Sequence, residues 1–164
     1  MKTSDLNGAV LIWGCASPAF AGSARGCRII VPENRPFLYG LLHNLPLLEE
    51  SGSDLLYCTD NMIGSLLFRG KIDRTVVFHR KEVEPGRFLC PPGSSYAYLL
   101  SRLHGVDVVF MPQGDCRPGP DAGAGTLAGK PFVPDADACF VLDPEDELIG
   151  ADLFEGHEND RKDG

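Results

Sequence analysis

Five short apolar runs constrain this chain more than any other feature: residues 9–14, 28–31, 54–58, 75–78 and 106–111. Each is bounded by Gly, Pro or Asp, rich in Val, Ile and Leu, and continuous rather than alternating, as in parallel strands covered on both faces. Amphipathic stretches at 38–50, 60–68 and 94–104 separate them and predict crossover helices. Leu41, Leu42, Leu45 and Leu48 form an apolar stripe at helical spacing, with Pro46 marking a kink or a restart. Asp60 is suited to cap the second helix, Ser94 or Ser95 to cap the third, and Gly70 and Gly105 to stop them. Tyr98, Leu99 and Leu103 are expected on the third helix's apolar face. The pattern predicts an α/β domain built on a parallel sheet.

A chain of 164 residues has room for one such domain, expected over residues 1–142. Ten of residues 112–134 are Gly or Pro, which predicts a long loop. A further strand-like run at 138–142 precedes Pro144 and several acids, a pattern expected to open a short helix. The hydrophobic fraction of 43% and charged fraction of 23% are those of a soluble globular chain. No apolar run reaches the ~20 residues that span a bilayer, and no cleavage site follows the first strand, so a cytoplasmic protein without membrane association is expected.

The net charge is −8, and its placement matters more than its size. Residues 143–164 hold nine acids against Arg161 and Lys162, leaving the remainder near neutral. That balance argues against nucleic-acid binding, while an acidic tail at 143–164 is either solvated or offered to a basic partner.

The six cysteines contain no Cys-x-x-Cys pair, and the four histidines lack metal-ligand spacing. Reduced thiols are expected, several acting as small hydrophobes, with no zinc site and no cofactor. Cys15 follows the first strand at the carboxyl edge of the predicted sheet, where α/β proteins bind ligands. It is either a reactive thiol or a buried one without a role. Backbone N–H groups around Gly22-Ser23-Ala24 are candidates to hold a phosphate. The second strand delivers Glu33-Asn34-Arg35-Pro36 and the third Cys58-Thr59-Asp60-Asn61 to the same edge. Arg35 is a fixed positive fork for an anion, or a salt-bridge partner of Glu33 or Asp60. Asp60 is either a polar group of the site or only a helix cap, with Asn61 beside it.

These residues carry a resemblance. Glu33-Asn34-Arg35-Pro36 with Gly40 four residues on, Thr59-Asp60-Asn61-Met62, Gly70-Lys71-Ile72-Asp73, and the helix and strand from Tyr98 to Asp115 follow in order. Together they resemble the C-terminal domain of the family of methylthioribose-1-phosphate isomerases, ribose-1,5-bisphosphate isomerases and initiation factor 2B α, β and δ subunits. The resemblance implies a three-layer Rossmann-like fold, of the type found in ribose-5-phosphate isomerases and coenzyme A transferases. It implies conversion of an aldose 1-phosphate to a ketose 1-phosphate by a Cys and an Asp as acid-base pair. Cys15 lies where that Cys is expected, and Gly93-Ser94 where a helix start meets the phosphate.

The chain departs from that pattern at three places. Arg80, in Phe78-His79-Arg80-Lys81, stands where the family carries its acid, and an Arg does not shuttle protons. Cys90-Pro91-Pro92 replaces the polar Asn-Lys ahead of Gly93. Cys15 and Glu33 are 18 residues apart, closer than in the family. His79, Arg80, Lys81 and Arg87 are expected to give a more basic pocket, suited to a phosphorylated sugar or another small anion. The expectation is a non-catalytic or accessory subunit that binds such a ligand or a protein partner and forms a homo-dimer or higher oligomer. The alternative is an active isomerase with a remodelled site, using Cys15, with Arg35, Asp60, Asn61, Arg80, Gly93 and Ser94 around the substrate.

Overall fold

The computed structural model describes residues 8–116, 126–127, 130–131 and 146–150. Its centre is a five-stranded parallel sheet of β1 (Ala9–Trp13), β2 (Arg28–Pro32), β3 (Asp54–Cys58), β4 (Arg74–His79) and a later strand, Asp107–Pro112. The expected apolar runs account for all five. Counting a hairpin of β5 (Lys81–Glu84) and β6 (Arg87–Cys90), that later strand is β7, and the sheet order is β3-β2-β1-β4-β7. The order reverses between β1 and β4, so their carboxyl ends lie at the topological switch point of the sheet. Cys15 lies there, two residues past β1.

Helices cover both faces. Against one face, α1 (Pro18–Ser23) and α2 (Leu45–Ser51) enclose a core of Val10, Ile12, Phe20, Leu48, Val76 and Phe78. Against the other, α3 (Met62–Phe68) and α4 (Ser94–Leu103) enclose Leu11, Trp13, Ile63, Val77, Cys90 and Tyr98. The expected three layers are therefore present, and α1 is an addition, capped by Ser17, whose Oγ accepts the Phe20 N–H at 3.2 Å.

Several local expectations need correction. The stretch from residue 38 starts as one π-helical turn, Gly40–Asn44, before α2 restarts around Pro46. Its wider winding shifts the phase of the stripe, so Leu41 and Leu42 lie exposed and Asn44 turns inward, fully buried. Leu103 is exposed on α4, whose buried positions are Ser94, Ala97, Tyr98 and Ser101. Ser101 and Thr75 satisfy each other through a 2.7 Å hydroxyl pair. Neither Asp60 nor Ser94 caps a helix: Asn61 and Gly93 stand at the N-cap positions, without side-chain capping bonds.

The segment after Pro144 also differs. Instead of a helix, Glu147–Ile149 forms a strand antiparallel to β6, pairing Leu148 with Leu89, and Ile149 is fully buried. An edge strand with free N–H and C=O groups offers partners that a short acidic helix would lack. Thr126–Leu127 and Lys130–Pro131 pair as a small antiparallel ladder within the expected loop. The strand-like run at 138–142, Cys139, and residues 151–164 of the acidic tail lie outside the described residues. Among the described residues no helix is long and apolar enough to cross a membrane.

Candidate functional site

The carboxyl edge of the sheet is organised by two buried asparagines. Asn34 adopts a left-handed backbone (φ 57°), which Asn tolerates better than most residues, and this turns its side chain back toward β1. Its Oδ1 accepts the Gly14 N–H at 2.6 Å and its Nδ2 donates to Pro32 O at 2.9 Å. Asn44 grips the same strand exit from the π-turn: Nδ2 donates to Gly14 O at 2.8 Å and Oδ1 accepts the Ala16 N–H at 2.9 Å. The backbone on both sides of Cys15 is thus held by side chains from two other elements, and the Oδ1 and Nδ2 atoms of both asparagines are paired.

Cys15 itself is fully buried and disulfide-bonded to Cys116, with Cα atoms 6.2 Å apart. This corrects the expectation of six reduced thiols. The loops leaving β1 and β7 meet across the end of β4, where Gly114 N–H donates to Cys15 O at 3.0 Å. Only glycine allows that approach, since a Cβ at 114 would lie 2.5 Å from Ala16 O. His43 joins the pair from the π-turn, its Nε2–H donating to Ala16 O at 2.9 Å. Sequence spacing hid this trio, because its members come from three separate elements. Cys58 and Cys90 meet the expectation of small buried hydrophobes, and burial pushes their thiols up to about 11 and about 12.

Arg35, Asp60 and Asn61 gather around a second feature, a cleft of about 420 Å³ that Glu33 and Thr59 also line. Asp60 is a clamp rather than a cap. Its two carboxylate oxygens accept the Asn34 and Arg35 backbone N–H groups, each at 2.8 Å, tying the end of β3 to the turn after β2. Burial raises its carboxyl, and the two N–H donors oppose that shift. Arg35 is largely exposed and its Nε lies 2.9 Å from Glu33 Oε2, so its charge is already partnered, and that contact raises its guanidinium further. Asn61 accepts a hydrogen bond from the Thr59 hydroxyl.

The remaining predicted residues meet the C-terminal strand. Arg80 Nε lies 3.1 Å from Asp146 Oδ1, and its guanidinium also bonds Tyr39, whose hydroxyl burial pushes up. The start of α4 at Gly93 and Ser94, expected to hold a phosphate, is filled by Glu147. Its two carboxylate oxygens accept the Gly93 N–H at 2.8 Å and the Ser95 N–H at 2.6 Å. A carboxylate on a helix N-terminus satisfies the donors a phosphate would use. Pro91 packs beside Gly14 and Pro92 O accepts the Trp13 indole N–H at 3.1 Å, so this turn is an apolar cover. The extra basicity expected here is accordingly reduced: Arg80 is partnered by Asp146 and Arg87 by Glu84 at 3.2 Å, and Lys81 is exposed.

His79 ends β4 between these features. Its ring lies 4.8 Å from Phe88, desolvation lowers its pKa, and its Nδ1 is buried without a hydrogen-bond partner. Gln113 Oε1, just past β7, is buried and unpartnered too, while the Gln113 N–H donates to His79 O at 2.9 Å. Asn44, Cys116, Asp146 and Glu147 were not legible as site residues, and Asn34 was legible only as a member of the Glu33-Asn34-Arg35-Pro36 motif, without its role. A buried polar residue on an apolar stripe, as at Asn44, was the available signal.

No protein-family model matches the chain. Over 106 residues it is 34% identical to a methylthioribose-1-phosphate isomerase of Syntrophobacter fumaroxidans, covering 65% of this chain and 29% of that protein. Over 84 residues it is 31% identical to methylthioribose-1-phosphate isomerase 1 of Pseudothermotoga lettingae, covering 51% of this chain and 24% of the other. The chain thus spans less than a third of the length of these relatives. Among solved structures, the initiation factor 2B delta subunit of A. fulgidus superposes with a TM-score of 0.68 at 19% identity, over 88% of this chain and 49% of that one. The 5-methylthioribose 1-phosphate isomerase of Pyrococcus horikoshii gives 0.68 at 17% identity, over 87% and 47%. Part of the chain is thus similar in sequence to part of the methylthioribose-1-phosphate isomerases, and its fold is that of the two solved structures.

Proposed function

We propose that this chain is a non-catalytic or accessory relative of the sugar-phosphate isomerases, one that keeps the sheet-edge cleft for a phosphorylated sugar or small anion and associates with other subunits. One observation carries the reading. The thiol that an isomerase of this type would use as an acid or base, Cys15, is buried and joined to Cys116. A disulfide sulfur holds no proton to transfer. Two others point the same way: Arg80 stands in place of the acid and pairs with Asp146, and Glu147 fills the helix start. The cleft lined by Glu33, Arg35, Thr59, Asp60 and Asn61 is the place we assign to a small polar ligand, with Arg35 as the cation among its lining residues. Leu56 and Tyr57 on the β3 edge, with Leu41, Leu42 and Met62, are exposed apolar side chains suited to a subunit contact.

The test is a thermal-shift screen with pentose 1-phosphates and bisphosphates, alongside an assay for ketose formation on reduced and oxidised protein. The expected result is stabilisation lost in Arg35→Ala, with no turnover in either state, and an oligomer by sedimentation. Turnover in the reduced protein would overturn the non-catalytic reading. A second reading, an isomerase with a remodelled site, draws support from His79, a neutral imidazole whose unpartnered Nδ1 is a proton-transfer group of suitable kind. It requires turnover that His79→Ala abolishes.

A further inference from the structure

Cys15, His43 and Cys116 offer two sulfurs and one imidazole nitrogen whose ligand atoms all lie within 4.8 Å of one another. A disulfide uses two of these groups, and His43 lies beside them with one ring nitrogen bonded to Ala16 O. A thiophilic cation uses all three, with sulfur and nitrogen ligands at about 2.3 and 2.0–2.1 Å for zinc. The 6.2 Å Cα separation of the two cysteines falls within the disulfide range, and in the reduced state the same separation lets the sulfurs splay around an ion.

The surroundings are those of a built site. His43 Nε2–H donates to Ala16 O at 2.9 Å, which leaves Nδ1 with the lone pair in the neutral ring. A carbonyl that accepts from one ring nitrogen is the usual support of an imidazole that binds a metal through the other. Cys15 is held on both sides by Asn44, through Gly14 O and Ala16 N, and Gly114 N–H on Cys15 O brings the Cys116 loop against it. The donors come from the end of β1, the π-turn and the loop after β7, so the fold rather than a local motif brings them together.

We propose that the reduced chain binds one zinc-type divalent cation through Cys15 Sγ, Cys116 Sγ and His43, and that the disulfide and the metal complex are alternative states of the same pair. Soft sulfur with imidazole favours zinc over hard cations, and three protein ligands leave a fourth position for water or an outside ligand. The interconversion balances as follows. A dithiol reductant attacks one sulfur of the Cys15–Cys116 bond to form a mixed disulfide, and its second thiolate then closes it into a cyclic disulfide. Two protein thiols result. The cation displaces their two protons to water and takes the His43 lone pair. The proposal does not depend on the sugar-phosphate reading, since it concerns no sugar and no turnover.

The experiment uses the full chain, reduced with a phosphine under anaerobic conditions, freed of reductant and checked by mass for two added hydrogens. It is titrated with Co²⁺ alone and then with Zn²⁺. The expected result is one equivalent of Co²⁺ with thiolate-to-cobalt charge-transfer and tetrahedral d–d bands, bleached by one equivalent of Zn²⁺. Cys15→Ser and Cys116→Ser should each abolish the charge-transfer intensity of the pair, and His43→Ala should weaken binding by at least about tenfold. A variant with Cys27, Cys58, Cys90 and Cys139 replaced by Ser should bind as the parent does. Should a single variant fail to fold, X-ray absorption on the zinc-loaded parent decides instead, with two sulfur and at least one nitrogen scatterer expected. A pair that phosphine does not reduce, absent charge-transfer bands, a signal surviving in Cys116→Ser, or a zinc shell without two sulfurs would each overturn the proposal.

Discussion

Asn34 Oδ1 accepts the Gly14 N–H at 2.6 Å, so the residue that turns the chain out of one strand also fixes the exit of its neighbour, one residue before Cys15. Removing that acceptor strands a buried N–H, and removing Asn44 strands a buried N–H and C=O together. Asn34→Ala and Asn44→Ala are each expected to cost roughly 2–4 kcal/mol in urea denaturation, because an unsatisfied buried group costs about 1–3 kcal/mol. The double variant should cost less than the sum, since both side chains hold Gly14. Losses below about 0.5 kcal/mol would show that the backbone here needs neither.

Among the described glycines, Gly40 has the least room. A Cβ there would lie 1.7 Å from Pro32 O, a backbone atom that cannot swing aside. Gly40→Ala should therefore destabilise by more than about 3 kcal/mol or prevent folding. Gly22 in α1 has nothing within 4 Å of its would-be Cβ, and Gly22→Ala should change stability by less than about 1 kcal/mol, toward stabilisation. Thermal melts of the two variants check the order, and equal melting temperatures would contradict it.

The C-terminal strand is expected to be part of the fold. Ile149 is fully buried in the core beside Trp13 and Cys90, and Glu147 satisfies two N–H groups at the start of α4. Ile149→Ala should cost roughly 2–4 kcal/mol through the cavity it leaves. Glu147→Ala should cost about 1–3 kcal/mol through the stranded donors. If a chain ending at residue 142 melts at the parent's temperature, the strand contributes nothing.

Stability should fall at alkaline pH. Burial raises Cys90 from 9.0 to about 12 and Cys58 to about 11 in the folded protein. Each folded pKa lies above its unfolded value, so the folded state holds the proton longer. That stabilisation is complete below about pH 9 and is lost as pH rises through the folded values. Urea midpoints measured from pH 8 to 11 should decline, and Cys90→Ala should flatten the slope. An unchanged slope in that variant would assign the decline to other groups.

The five strands and the α/β class were legible from residue pattern alone, because a strand covered on both faces must be apolar throughout. The runs that became the central strands β1, β2 and β4 meet that requirement, whereas β3 at the sheet edge leaves Leu56 and Tyr57 exposed. The cleft of Arg35, Asp60 and Asn61 was legible too, since successive parallel strands deliver their carboxyl ends to one edge. What each side chain does there was decided only by tertiary contacts. Asp60 clamps two N–H groups instead of capping α3, and Glu147 takes the helix start from any phosphate. Cys15 meets Cys116 and His43 across a strand that separates them in the sheet. Local sequence marked the five sheet strands, while the burial of Asn44, the exposure of Leu41 and Leu103, and the strand at Glu147–Ile149 came from tertiary packing. Long-range strand order determines which polar groups face one another, and partners 101 residues apart, as Cys15 and Cys116 are, leave no periodic trace.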